Sequence, residues 1–73
     1  MKIELHDPES QLLKELTWEW ITQESVALTY AFIIRQCGDR ADWPRINAAI
    51  KERWKGKAAL DKIKKLAWKS LGA

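Results

Sequence analysis

The segment SVALTYAFIIRQC, residues 25–37, restricts the fold of this chain more than any other feature. As a helix it is apolar on most of its circumference, and a helix of that kind usually lies at the centre of a protein. Thr22 is suited to cap its N-terminus, with Glu24 in the first turn, and Gly38 is suited to end it. The sequence therefore predicts a central, buried helix over about residues 23–37.

A helix that precedes it is predicted over about residues 8–20. Asp7 is a suitable N-cap, and Pro8 fits the first helical position, where its missing N–H is not needed. Four apolar side chains fall within one arc of this helix: Leu12, Leu13, Leu16 and Trp20. Their phase leaves two arrangements open, since this helix and the central one can be separate or form one bent rod. Residues 1–6 alternate as a short strand would, although no partner strand is evident.

A third helix is predicted over about residues 43–54, with Asp42 as its N-cap and Pro44 in its first turn. Its apolar stripe consists of Ile46, Ala49, Ile50 and Trp54. Arg53 falls within the same arc. We therefore expect its stem to pack there, while its guanidinium meets an acid or the C-terminal end of the helix.

A fourth helix is predicted over about residues 58–71, after a turn at Gly56. If one helix continued through Gly56, the apolar stripes on its two sides would be rotated by about 110° relative to each other. A break lets both stripes face one core, and two helices joined in this way form an αα-hairpin, of which the helix-turn-helix is one form. The sequence thus predicts an all-α fold, a compact bundle of three to four short helices in one small domain, residues 1–73. Its C-terminal αα-hairpin is a helix-turn-helix candidate.

The core of this bundle has to come from apolar side chains alone. With 73 residues, the chain is close to the lower size limit for a domain that has no disulfide or metal. One cysteine (Cys37) and one histidine (His6) can form neither an internal disulfide nor a four-ligand zinc site. The sequence also contains no phosphate-binding loop and no nucleophile beside a base. We therefore expect a binding protein that is not an enzyme and uses no cofactor or metal.

Charge is divided unequally along the chain. Residues 1–37 carry three basic and six acidic side chains, for −3, while residues 38–73 carry ten basic and four acidic ones, for +6. One interpretation is a basic half that faces an anionic partner. The other is that lysines keep a small, tryptophan-rich protein soluble.

Trp68 lies outside the apolar stripe of the fourth helix. With Ile63 set at 0°, the apolar positions span about −60° to +80° and Trp68 falls near 140°, one turn after Lys64. Its indole can pack against the N-terminal segment or lie under lysine stems. The alternative is a contact residue that stacks on a base or enters a pocket of a partner.

Nucleic acid is the leading predicted partner. Lysine neutralises phosphates without regard to sequence. Base edges are read mainly by Arg, Asn and Gln, and we expect two such residues, Arg45 and Asn47, on the outer side of helix 43–54. The predicted contact residues are Arg45, Asn47, Lys51, Lys55, Lys57, Lys62, Lys64, Lys65, Trp68 and Lys69. The alternative is a protein-interaction module or inhibitor that docks this basic, Trp-bearing face on an acidic partner protein. A membrane-surface helix is disfavoured, because the core needs the apolar stripe.

The sequence also suggests where the protein is found. The first ten residues lack the apolar region of a signal peptide, and no apolar run approaches the roughly 20 residues of a membrane span. A lone thiol fits a reducing compartment. We expect a soluble intracellular protein, either cytoplasmic or located in the nucleoid or nucleus.

Overall fold

The computed structural model describes residues 8–72, and these form four α-helices and one short 3-10 helix (Gly38–Arg40). The α-helices are α1 (Pro8–Glu15), α2 (Gln23–Gln36), α3 (Trp43–Trp54) and α4 (Lys57–Ser70). Residues 8–72 contain no strand, so the predicted all-α bundle is confirmed. The predicted cap at Asp7 and the extended segment over residues 1–6 lie outside the described residues.

Helix α2 occupies the centre of the bundle. It packs most extensively against α4, and it also contacts α1 and the 3-10 helix. The largest fully buried side chains come from all four helices: Leu12, Val26, Ile33, Ile46, Ile50 and Ile63. The predicted central position of α2 is confirmed, but the helix is not buried on every side. Leu28 is 63 % exposed and Phe32 48 % exposed, because the described helices cover only part of the circumference of α2.

Helix α1 is shorter than the sequence predicts, since it ends at Glu15 rather than near residue 20. The hydroxyl of Thr17 donates to the Lys14 carbonyl oxygen at 2.7 Å, and this local bond competes with helix continuation. The following residues are mostly aromatic or β-branched, which are weaker helix formers. α1 and α2 are therefore separate helices. Trp20 is not part of the apolar arc: it is 73 % exposed and stacks on Trp18, with ring centroids 5.4 Å apart.

The connection between α1 and α2 is held by a side chain from α3. The Arg53 guanidinium donates through Nη2 to the Trp18 carbonyl oxygen at 3.0 Å, and its Cζ lies 5.2 Å from the centroid of the Trp54 ring. The expectation that this guanidinium meets an acid or a helix end is therefore wrong. A turn that left helical geometry exposes its carbonyl groups, and Arg53 satisfies one of them.

The predicted boundaries of α3 and the predicted start of α2 are confirmed by their caps, and α2 ends at Gln36, one residue earlier than predicted. The Thr22 hydroxyl accepts from the Ser25 N–H at 3.1 Å, and the Asp42 carboxylate accepts from the Arg45 N–H at 3.3 Å. Gly38, directly after the C-cap of α2, has a φ of 56°, the left-handed conformation that ends many helices. These three local signals set where the chain turns.

The predicted break at Gly56 is also confirmed. α3 ends at Trp54, Lys55 is left-handed with a φ of 55°, and Gly56 has a φ of 148° and a ψ of 176°. This last conformation is essentially restricted to glycine. α4 begins at Lys57 and ends at Ser70, each one residue earlier than predicted. α3 and α4 contact each other as an αα-hairpin, and both apolar stripes face one core.

Candidate nucleic-acid interface

The side of α4 that points away from the core is strongly basic. Ala59, Leu60, Ile63 and Ala67 bury the opposite side of the helix. We use the name outer face of α4 for its exposed charged and aromatic residues: Lys57, Asp61, Lys62, Lys64, Lys65, Trp68 and Lys69. Five lysines against one aspartate give this face a formal charge of +4. The predicted amphipathic helix, with Trp68 off its apolar stripe, is therefore confirmed.

Most of this charge is not neutralised within the described part of the chain. Lys62 lies 3.7 Å from the Glu24 carboxylate, and these two side chains are 55 % and 66 % exposed. Such an exposed pair is worth about 0–1 kcal/mol and is easily exchanged for another partner. Among residues 8–72, the other four lysines of the face make no ion pair. They are available to an anionic partner.

Trp68 and Lys64 line one side of a cavity of about 280 Å³. We call it the aromatic cavity, and its other lining residues come from α2, α3 and the 3-10 helix: Tyr30, Ile34, Gly38, Asp39, Trp43 and Asn47. Trp68 is 49 % exposed, so its ring faces both the cavity and solvent. The cavity thus combines three aromatic rings with an ammonium, an amide and a carboxylate.

Hydrogen bonds hold the inner wall of the aromatic cavity. The Tyr30 hydroxyl donates to Oδ1 of Asn47 at 3.0 Å, and the Trp43 indole N–H donates to the Gly38 carbonyl oxygen at 2.8 Å. The Tyr30 and Trp43 rings are 4.9 Å apart between centroids. Burial raises the pKa of Tyr30 above its ordinary value of 10.0, which further favours the protonated hydroxyl that donates to Asn47. Since Oδ1 accepts from Tyr30, the amide N–H groups of Asn47 are the part that can donate to a ligand.

The structure separates two residues that the sequence placed together. Arg45 is exposed, as expected, but Asn47 is partly buried and points toward Tyr30. At about 100° per residue, these two α3 positions lie roughly 160° apart around the helix. The prediction that Asn47 belongs to the outer side of α3 is therefore wrong. Asn47 instead joins Lys64 and Trp68 at the cavity.

The remaining predicted contact residues lie around the α3–α4 turn and along α4. Lys51 is in the last turn of α3, where a positive charge is favourable beside the helix C-terminus, and Lys55 forms the turn itself. Lys57 is the first residue of α4. All three side chains are exposed. They extend the basic surface from the outer face of α4 to the turn.

Sequence reasoning missed the cavity-lining role of Tyr30, Ile34, Asp39 and Trp43. Three helices each contribute two cavity residues spaced four apart: Tyr30 and Ile34, Trp43 and Asn47, and Lys64 and Trp68. That spacing places each pair on one helix face, so it was visible in the sequence. Which faces meet, however, depends on how the helices pack.

Further observations bear on the class of protein. Within residues 8–72, no helix is long and apolar enough to cross a membrane, and no three His, Cys, Asp or Glu side chains come together as a metal site would require. No protein-family model matches the chain, and no curated protein or solved structure is significantly similar to it. The outer face of α4 and the aromatic cavity are therefore the features of residues 8–72 that bear most directly on function.

Proposed function

We propose that this protein is a non-enzymatic nucleic-acid-binding protein that prefers single strands. The observation that carries this proposal is the position of Trp68. It is half-exposed among the lysines of α4 and lines a cavity that holds two further aromatic rings. Basic residues beside exposed aromatic rings are the combination with which proteins bind single-stranded nucleic acid.

The lysines of α4 are suited to follow a phosphate backbone. Lys57 and Lys69 are twelve residues apart, which corresponds to about 18 Å along the helix at 1.5 Å per residue. Duplex nucleic acid carries one phosphate per about 3.4 Å of each strand, so several phosphates can lie along this length. These contacts supply affinity without sequence preference.

The aromatic cavity adds the preference for unpaired bases. Its volume of about 280 Å³ exceeds the roughly 150 Å³ of a cavity that accommodates benzene. An unstacked base can lie against the Trp68 indole, where the Asn47 amide can donate to it and the Asp39 carboxylate can accept from it. Lys64 lines the same cavity and can neutralise the phosphate of that nucleotide. Paired bases in a duplex are not free to enter.

The proposal is tested by fluorescence anisotropy with labelled single-stranded DNA, single-stranded RNA and duplex DNA across a series of salt concentrations. We expect binding that weakens log-linearly with salt, with a slope of roughly −0.7 per phosphate neutralised on single strands and −0.9 on duplex. Trp68→Ala should weaken single-strand binding by about 1–3 kcal/mol, or roughly 5- to 150-fold. Trp20→Ala is the matched control, because Trp20 is exposed but does not line the cavity.

Two results would contradict parts of this proposal. If the protein binds without a single-strand preference and Trp68→Ala has no effect, the aromatic cavity takes no part in binding. Phosphate contacts from α4 would then account for the affinity. No binding to any of the three nucleic acids at low salt would refute nucleic acid as the partner. The alternative, an acidic protein surface that contacts the same basic face, would then be favoured.

A further inference from the structure

The outer side of α2 presents an apolar surface that nothing in the described structure covers. Leu28 and Phe32 lie one helical turn apart and are 63 % and 48 % exposed. Beside them is a groove of about 140 Å³ whose lining includes Arg35 of α2 and Leu71 at the end of α4. We use the name outer face of α2 for Glu24, Leu28, Phe32 and Arg35. Large apolar side chains clustered at a surface mark a binding site more often than isolated ones do.

We propose that the outer face of α2 binds a second copy of the chain, in an antiparallel helix pair with two-fold symmetry. A two-fold axis level with Tyr30 places Leu28 opposite Phe32 of the second copy, and Phe32 opposite its Leu28. The same surface then meets itself, as a symmetric dimer requires. The groove beside Leu28 gives the Phe32 ring of the second copy a place to pack.

The charges at the two ends of this face also favour the antiparallel pair. At about 100° per residue, Glu24 and Arg35 lie on the same side of the Leu28–Phe32 stripe, roughly 60° and 40° from its midline. Glu24 is about 9 Å before the level of Tyr30 and Arg35 about 7.5 Å after it. A two-fold axis perpendicular to the helices leaves a residue on the same side of the stripe and reverses its position along the helix relative to Tyr30. Glu24 therefore meets Arg35 of the second copy, and this happens twice.

In a parallel pair the two-fold axis runs along the helices and reverses the side. Glu24 and Arg35 would each lie level with their own copies but on the opposite side of the stripe, so neither would meet an opposite charge. The ion pair with Lys62 does not compete, because Lys62 approaches Oε2 of Glu24 and leaves Oε1 free to accept from an arginine. Two apolar side chains per copy make a small interface, below the roughly 1,200 Å² of stable complexes. We expect weak association, with a Kd above about 1 µM.

Analytical ultracentrifugation of the full chain, from about 1 µM to about 1 mM, tests the proposal. The wild type should change from monomer to dimer over this range. Phe32→Ala should keep it monomeric, whereas Trp68→Ala should leave the transition unchanged. The second variant is a matched control, because Phe32 and Trp68 are 48 % and 49 % exposed on different helices. Circular dichroism establishes that both variants remain folded.

A charge exchange tests the antiparallel geometry. Glu24→Arg and Arg35→Glu should each weaken self-association by about tenfold, because each places two like-charged pairs in the homodimer. Mixing the two variants should restore association as a heterodimer with complementary pairs. A wild type that stays monomeric up to about 1 mM, or a dimer that Phe32→Ala leaves intact, would overturn the proposal. A mixture that associates no better than either variant alone would overturn the antiparallel pairing.

Discussion

Helices α2 and α4 have the same length and pack against each other, yet they present opposite chemistry to solvent. Each contains 14 residues, and no other pair of helices has a larger contact. Phe32 on α2 and Trp68 on α4 are almost equally exposed, at 48 % and 49 %. Phe32 has Leu28 beside it, whereas Trp68 stands among lysines. The difference therefore lies in the surroundings of each ring, and it suits the two faces to different partners.

The N-terminal turns of α2 and α4 also differ in their charges and caps. α2 has a side-chain cap from Thr22 and an acid, Glu24, in its first turn. α4 begins after Gly56, which provides no side-chain cap, and its first turn contains Lys57 but no acid. Positive charge is unfavourable at a helix N-terminus. α4 therefore depends on packing rather than on its own N-terminal signals, while its outer face keeps a formal charge of +4.

The largest expected effects come from the inner sides of these helices. Ile33 and Ile63 are fully buried, one on each helix. Ile33→Ala and Ile63→Ala should each lower the free energy of unfolding by about 2–5 kcal/mol, because each leaves a cavity in the core. Trp68→Ala should cost less than about 1.5 kcal/mol, since a half-exposed ring loses only part of the burial energy of an aromatic side chain. Urea denaturation followed by circular dichroism measures all three.

A chain of this size has only about 4–11 kcal/mol of stability, at 0.05–0.15 kcal/mol per residue, so an alanine variant can unfold completely. Ile33→Val and Ile63→Val, which should cost about 0.5–1.5 kcal/mol each, keep the measurement possible. A loss for Trp68→Ala that equals the loss for Ile63→Ala would show that Trp68 is a core residue. The distinction between the inner and outer faces of α4 would then be wrong.

The next effect concerns the two glycines that delimit these helices. Gly56→Ala should cost about 1–3 kcal/mol, because its φ of 148° and ψ of 176° lie in a region essentially restricted to glycine. Gly38→Ala should cost about 1 kcal/mol, because its φ of 56° is left-handed and accessible to other residues at a moderate cost. Within residues 8–72, and apart from the adjoining residues, no atom lies within 4 Å of a Cβ added at either position, so both costs come from the backbone.

Thermal or urea denaturation of both variants ranks the two costs. Equal stability of Gly56→Ala and the wild type would mean that the α3–α4 turn can adopt another conformation. The start of α4 would then be less sharply defined than the end of α2.

Much of the fold could be predicted because it depends on signals that act within a few residues. Thr22, Asp42 and Gly56 each set a helix boundary through their own side chain or backbone, and all three were identified in the sequence. Helical periodicity predicted the buried stripe of α4 for a similar reason. Its apolar residues occupy one side, so only one orientation covers them.

Other features depend on contacts between distant residues, and these were missed. Helical phase alone separates Asn47 from Arg45. It does not identify the Tyr30 hydroxyl, 17 residues away, from which Asn47 accepts, or the Trp18 carbonyl, 35 residues away, that Arg53 binds. The exposure of Phe32 depends on how much of α2 the other helices cover, which periodicity in α2 alone does not indicate. The candidate site could thus be predicted where it follows one helix face, and not where three helices build the cavity.

The smallest expected effect addresses the start of α4 directly. Ala58 is exposed in the first turn, and Ala58→Glu introduces the acid that this turn lacks, four residues before Lys62. We expect a gain of about 0.3–1 kcal/mol in the free energy of unfolding, because a negative charge is favourable at a helix N-terminus. The same variant should bind single-stranded nucleic acid more weakly at low salt, because it lowers the charge of the basic surface. Ala58→Gln is the matched control, with a similar side chain and no charge, and it should show neither change.

A stability gain without a loss of affinity would mean that the first turn of α4 is remote from the bound strand. The phosphate contacts would then begin further along the helix, and the missing acid would have no connection with binding.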